Sequence, residues 1–172
     1  STYKITPVEL EIWTRILEKT KNTYLWLLDT NNHGKKNLLN FFNKKKINIE
    51  RIKFAKNMSH SFHLERLSHS DIFLDTFNVN AHTTCSDALW SGVPVVTMQG
   101  KQFSARVASS LLNALSLNEL ITKNKFEYEK LILELINDNK KLINLKNKIR
   151  NNIKTEALFD TKKYTKNFEM AL

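Results

Sequence analysis

Hydrophobic and polar positions repeat with two periods along this chain, one suited to helices and one to short buried strands. Thr2 to Ile5 is a β-branched and aromatic run, read as a first strand. Thr6 then stands where a helix N-cap belongs, and Pro7 where a first turn tolerates proline. Leu10, Ile12, Trp13, Ile16 and Leu17 follow at helical spacing. Tyr24 to Leu28 is a continuous apolar run of buried-strand length, and Asn31-Asn32-His33-Gly34 is a turn cluster. Leu38, Leu39, Phe41 and Phe42 mark a second helix, and Arg51 to Ala55 a third strand. Ser59 or Ser61 caps a short helix that turns Leu64 and Leu67 inward, and Ile72 to Asp75 is a fourth strand. A helix over 84–91 stops at Ser91-Gly92 and gives way to a strand over 93–97. Ala105, Val107, Ala108, Leu111, Leu112 and Leu115 predict an amphipathic helix, and Leu120-Ile121-Thr122 a last short strand. From Phe126 the pattern is helical through Ile149, and a final helix starts near Thr161.

Strands that alternate with helices predict an α/β fold, a Rossmann-like three-layer sandwich with a mostly parallel sheet and C-terminal helices. Such sheets bind ligands at the carboxyl ends of their strands. The stretch His82 to Gly100 is therefore the focus: a polar turn, a short helix and an apolar strand that follow the strand ending at Asp75. No internal repeat or Gly/Ser-rich linker divides the sequence, so residues 1–172 read as one domain. A buried strand beginning at residue 2 reads as part of something longer.

Hydrophobic residues make up 41% of the chain, with ten Phe and three Trp, which is ample core material. The three Gly and two Pro leave turns to Asn, Asp, Ser and Lys. No apolar run approaches the roughly 20 residues that span a bilayer, and no signal peptide opens the chain. The single cysteine, Cys85, excludes an internal disulfide and fits a reducing, cytoplasmic setting. The net charge is +10, but the Lys residues are scattered among Asn and Ile. That distribution predicts a solvated basic surface, with neither nucleic acid nor membrane as partner.

Thr83 and Thr84 stand at the N-terminus of the helix that follows Asp75. The first N–H groups there lack intrahelical partners and the helix dipole adds positive charge, so a phosphate is favoured. Thr84-x-x-Asp87 equally matches a capping box. His82 is either a donor to a phosphate oxygen or a packed ring. His63 and Arg66, three apart, share one helix face and suit a base and a charged group, or simply solvent. His60-x-x-His63 lacks a third metal ligand nearby. Cys85 has no catalytic partner in the pattern and reads as a small buried residue, and no Gly-x-Gly-x-x-Gly or Walker pattern occurs.

Asp75-Thr76 followed by Asn80-Ala-His82-Thr-Thr84-x-x-Asp87-x-Leu-Trp90-x-Gly92-x-Pro94-x-Val-Thr97 resembles the donor-binding half of the O-linked N-acetylglucosamine transferases and their SPINDLY-type relatives. Tyr3-Lys4-Ile5, His63-x-x-Arg66, Glu119-Leu-Ile-Thr-Lys-Asn124 with Glu127-Tyr128, and Leu158-Phe-Asp-Thr161 with Tyr164 extend the resemblance over nearly the whole chain. It implies the C-terminal half of a GT-B glycosyltransferase. By the same resemblance, Lys4 is the catalytic lysine that steadies the leaving diphosphate. His63 packs on the uracil, and Arg66 lies near the base. His82, Thr83 and Thr84 form the diphosphate turn, Asp87 holds the ribose hydroxyls, and Met58 and His60 belong to the substrate-binding set. His60 stands where the family has a lysine, Ala81 and Cys85 where it usually has glycine, and Phe77 where proline is common.

The implied reaction is a metal-independent, inverting transfer of GlcNAc from UDP-GlcNAc to Ser or Thr of proteins, with no cofactor. GDP-fucose or UDP-glucose is the alternative donor, and a basic nucleic-acid-binding or non-catalytic interaction domain the alternative of another class. The implied partners are an N-terminal catalytic half and tetratricopeptide repeats that present the acceptor protein. This chain alone is expected to bind donor weakly and to transfer nothing.

Overall fold

A capping box sets the first helix. The Glu9 carboxylate accepts the Thr6 N–H at 2.9 Å, and the Thr6 hydroxyl accepts the Val8 N–H at 3.3 Å. Helix α1 (Pro7–Lys19) starts there and buries Ile12, Trp13, Ile16 and Leu17. The computed structural model describes residues 2–29 and 31–171 and divides into two compact units, Ser1–His63 and Leu64–Leu172.

In the first unit, strands β1 (Leu25–Leu28) and β2 (Ile52–Ala55) pair in parallel, from Leu25 opposite Ile52 to Leu28 opposite Ala55. Helix α2 (Asn32–Lys44) makes the crossover that a parallel pair requires. Two expectations are corrected here. Thr2–Lys4 forms a 3-10 turn, not a strand, with the Ile5 N–H on the Thr2 carbonyl at 3.1 Å. A strand needs a neighbour for its backbone groups; these residues satisfy theirs locally and lead straight into the Thr6 cap. The reading of a buried strand at residue 2 falls with it. Asn31–Gly34 is the start of a helix, because the Asn31 side chain accepts the Gly34 N–H at 2.7 Å and caps α2. Strand β1 also differs from its apolar sequence: Leu25 is buried, whereas Trp26 and Leu28 are exposed.

Arg51 closes this unit's polar account. Its guanidinium donates to the carbonyls of Leu17 at 2.8 Å, Thr20 at 2.9 Å and Thr23 at 2.9 Å, and to the Thr23 hydroxyl at 2.7 Å. Leu17 and Thr20 lie at the end of α1, where carbonyls have no intrahelical partner. One side chain just before β2 thus caps the helix and ties down the entry to β1.

Helix α3 (His60–Ser68) runs from the end of the first unit into the second; Leu64 and Leu67 are half-buried. The second unit holds three parallel strands in the order β3 (Phe73–Leu74), β4 (Val95–Met98), β5 (Ile121–Thr122). The expected strand over Ile72 to Asp75 keeps only its middle residues. Helix α4 (Thr83–Trp90) connects β3 to β4, and α5 (Val107–Ala114) precedes β5. A 3-10 turn, Phe103–Ala105, occupies the start of what the pattern predicts as one amphipathic helix. Gly100 permits it: its N–H reaches the Ala105 carbonyl at 2.8 Å, and an added Cβ would stand 2.5 Å from that of Ala105. Helices α6 (Lys125–Asn137), α7 (Asn139–Thr155) and α8 (Thr161–Met170) follow. Leu112, Leu115, Leu117, Leu120, Tyr128, Ile132, Leu135 and Ile149 form the core of this unit. The α/β class with parallel pairing is as the sequence predicts.

Three helices end in the same way, with one residue in the left-handed region. Gly92 (φ 77) ends α4, Lys46 (φ 60) ends α2 and Ser116 (φ 55) ends α5. In each, the next residue's N–H returns to a helix carbonyl: Val93 to Ala88, Ile47 to Phe42, Leu117 to Leu112. Among the described residues no helix is long and apolar enough to cross a membrane.

Cys85 is fully buried in the first turn of α4. Burial pushes its thiol well above the ordinary range, and the nearby Asp75 charge adds to this. The thiol of the native chain should therefore resist alkylation at pH 8. Labelling followed by mass spectrometry should detect adduct only across the urea unfolding transition; rapid labelling of the folded chain would contradict the burial. A second expectation concerns Arg51. Arg51→Ala should lower unfolding stability by about 1–3 kcal/mol, because it strands partly buried carbonyls. Urea denaturation measures this, and Arg51→Lys, without the planar fork, should recover only part of the loss.

Candidate functional site

The chain leaves β3 at a buried carboxylate. Asp75 Oδ1 accepts the N–H of Thr76 at 2.9 Å and of Ala81 at 2.6 Å; Oδ2 accepts the Thr97 hydroxyl of β4 at 2.7 Å. An ionised carboxylate, which only accepts, suits three donors. The Asp75 carbonyl takes the Tyr128 hydroxyl of α6 at 2.9 Å. Inside the loop, the Thr76 hydroxyl donates to the Val79 carbonyl at 2.7 Å, and Asn80 Nδ2 to the Thr76 carbonyl at 2.7 Å. Asn80 N–H reaches the Ser104 carbonyl at 2.7 Å. Phe77 is buried edge-on against Tyr128, with ring centroids 5.0 Å apart. The phenylalanine that stands where proline is common thus serves as a core anchor.

This loop delivers the chain to α4. His82 occupies the N-cap position and makes no side-chain capping bond; Thr83 is the first helical residue. The capping-box alternative therefore does not hold. Thr84 lies inside the helix, two residues past the N-cap position where a box residue must stand, and Asp87 lies a turn further on. Thr83 and Thr84 are exposed, and Asp87 is half-buried. Thr83 and Asp87 are four apart, and Thr84 and Asp87 three apart, so one flank of α4 presents two hydroxyls and a carboxylate. The His82 ring meets Phe103 edge-on at 6.3 Å, and its Nε2 is buried without a hydrogen-bond partner among the described residues. Buried polar atoms are nearly always paired. An acceptor arriving at this helix start would meet exposed Thr hydroxyls and N–H groups of the kind a first helical turn leaves without intrahelical partners.

The remaining candidates from the sequence belong to other elements. Arg66 is on the second half of α3, half-buried. In the same unit the Ser91 hydroxyl, at the end of α4, donates to the Leu64 carbonyl of that helix at 3.1 Å. The first unit carries Lys4 in the 3-10 turn, exposed Met58 and His60, and half-buried His63 on α3. Among the described residues no group of three or more His, Cys, Asp or Glu is placed to hold a metal ion. Ala81 and Cys85, in place of glycine, both have φ outside the left-handed region, so neither replacement strains the backbone. The residue whose part went unread was Asp75. Its signal was present: an acid ending an apolar strand, and a Thr within the next apolar strand.

A family model described as Glycosyl transferase family 41 matches residues 1–168. A Caenorhabditis elegans protein named UDP-N-acetylglucosamine--peptide N-acetylglucosaminyltransferase is 35% identical over 167 residues, covering 97% of this chain and 14% of its own length. A probable enzyme of the same name, SEC, from Arabidopsis thaliana is 33% identical over 168 residues, covering 97% of this chain and 17% of its own. Among solved structures, a mutant of the Thermobaculum terrenum O-GlcNAc transferase superposes with a TM-score of 0.91 at 29% identity, covering 98% of this chain and 33% of that one. This chain thus spans less than a fifth of the length of the curated relatives it matches. With these matches the α/β fold of a GT-B catalytic region is established, and the chain belongs to glycosyl transferase family 41.

Proposed function

We propose that this chain binds the donor of a protein O-GlcNAc transferase, with the UDP diphosphate held at the start of α4. The observation that carries the reading is the helix start itself. His82 leaves it uncapped by any side chain, Thr83 and Thr84 are exposed, and His82 Nε2 is buried without a partner. In a transfer without metal, charge grows on the departing diphosphate, and preorganised hydroxyls, N–H groups and the helix dipole meet it. Asp87, one turn on, is assigned to the ribose hydroxyls. The roles of Lys4 on the leaving group, His63 on the base, and Arg66, Met58 and His60 around the donor belong to the same proposal. GlcNAc as the sugar is supported by the names of the relatives. Inverting transfer to Ser or Thr of proteins is assigned to an assembly that also supplies an acceptor-side half and tetratricopeptide repeats.

Calorimetric titration of the chain with UDP, with GDP as control, tests the reading. UDP should bind more tightly than GDP, and EDTA should change nothing. Thr84→Val and Lys4→Ala should each weaken UDP by roughly 10-fold or more, the worth of a hydrogen bond to a charged group. A preference for GDP would overturn the uridine assignment, and no binding of either nucleotide at millimolar concentration would overturn the site.

A further inference from the structure

The loop over 76–81 is closed by a single carboxylate oxygen. Asp75 Oδ1 holds the N–H at each end of it, Thr76 at 2.9 Å and Ala81 at 2.6 Å. Oδ2 ties the same side chain to β4 through the Thr97 hydroxyl. The Thr97 carbonyl in turn takes the Thr122 hydroxyl of β5 at 2.9 Å. These groups join the carboxyl ends of all three strands of the second unit, and Tyr128 adds α6 through the Asp75 carbonyl. The fixed end of the loop is Ala81, immediately before His82. A displacement of Ala81 would carry His82, Thr83 and Thr84 with it.

We propose that Asp75, oriented by Thr97, is a positioning residue for the phosphate-facing turn: it touches no ligand and sets where the His82–Thr84 donors point. This rests on the donor-site reading above. A wrong placement of about 1 Å is enough to cost binding or rate heavily, so the carboxylate should act on affinity beyond its effect on stability. Its replacements also differ in a predictable order. Asp75→Asn can keep Oδ1 on the two N–H groups and turn its amide toward the Thr97 hydroxyl, which then accepts. Asp75→Ala removes all three bonds. Thr97→Val removes one donor at nearly constant shape, and Thr97→Ser retains it.

The test is UDP titration of the full chain beside thermal melting, with the amide shifts of Thr83 and Thr84 followed by NMR. Thr97→Val and Asp75→Ala should weaken UDP by about 10-fold and displace those amide signals before any ligand is added. Thr97→Ser and Asp75→Asn should stay within about three-fold of wild type, since they keep the bonds that position Ala81. Ile132→Val, a core change chosen to match the melting shift of Thr97→Val, should leave affinity unchanged. If Asp75→Ala does not fold, the Thr97 pair decides. Wild-type affinity in Thr97→Val, while Thr84→Val has lost binding, overturns this inference and leaves the donor site standing. Equal losses in Thr97→Val and the Ile132→Val control overturn it too. Absence of UDP binding by the wild-type chain overturns both.

Discussion

A buried carboxylate is the constraint on which the second unit is arranged. Taking a charged group from water is costly unless both of its oxygens find donors. Asp75 meets that requirement with two backbone N–H groups and a hydroxyl, drawn from its own loop and from the neighbouring strand. Those partners, together with the bonds of Thr76 and Asn80 inside the loop, hold a six-residue loop without regular structure in one shape. The helix that follows can then start uncapped by any side chain, because its direction is fixed from behind. A self-capped start, like that of α1 at Thr6, would spend its N–H groups internally. In α4 the N-cap side chain takes none of them.

Much of this was legible in the sequence because the signals were periodic or chemically specific. The apolar spacing through Leu17 gave α1, and Thr6 with Pro7 gave its start. Ser91-Gly92 ended α4, and the alternation of strands and helices gave the parallel class. Failures came where local bonding overrode a short apolar or polar run. Thr2 to Ile5 has strand-like residues, but four residues have little propensity against an adjacent capping box. Asn31-Asn32-His33-Gly34 has the composition of a turn, yet Asn31 caps a helix; the same side-chain oxygen serves either use. The Thr84 and Asp87 spacing was ambiguous for a comparable reason. A shift of two residues in the helix start decides between a cap and an exposed binding edge, and boundaries of that size are not fixed by periodicity. Asp75 ends an apolar strand in the sequence, but its bond to Thr97 is made only once β3 and β4 pair.

Several lysines are paired with acids at the surface. Lys45 pairs with Glu11, Lys35 with Asp29, Lys146 with Asp71, Lys141 with Glu134 and Lys148 with Glu119. Pairs this exposed contribute little to stability each, and high salt screens them. They do spread the lysines over both units, in keeping with the scatter seen in the sequence. On the donor-site reading proposed above, specific anion recognition falls to the start of α4, since diffuse charge attracts without orienting.

The three matching helix ends carry a consequence for composition. Each reverses the chain and drives an apolar residue inward at once: Ile47, Val93 and Leu117 are all buried. Glycine is the residue that adopts such a backbone without strain, yet the chain has three glycines and places only one of them, Gly92, at such an end. Lys46 and Ser116 hold the same conformation at a cost of about 1 kcal/mol each. The fold therefore carries a small reserve of stability at two positions outside the α4 turn. A lineage or an engineer could draw on it by adopting glycine there, gaining tolerance for the destabilising changes that a shift in ligand preference usually brings.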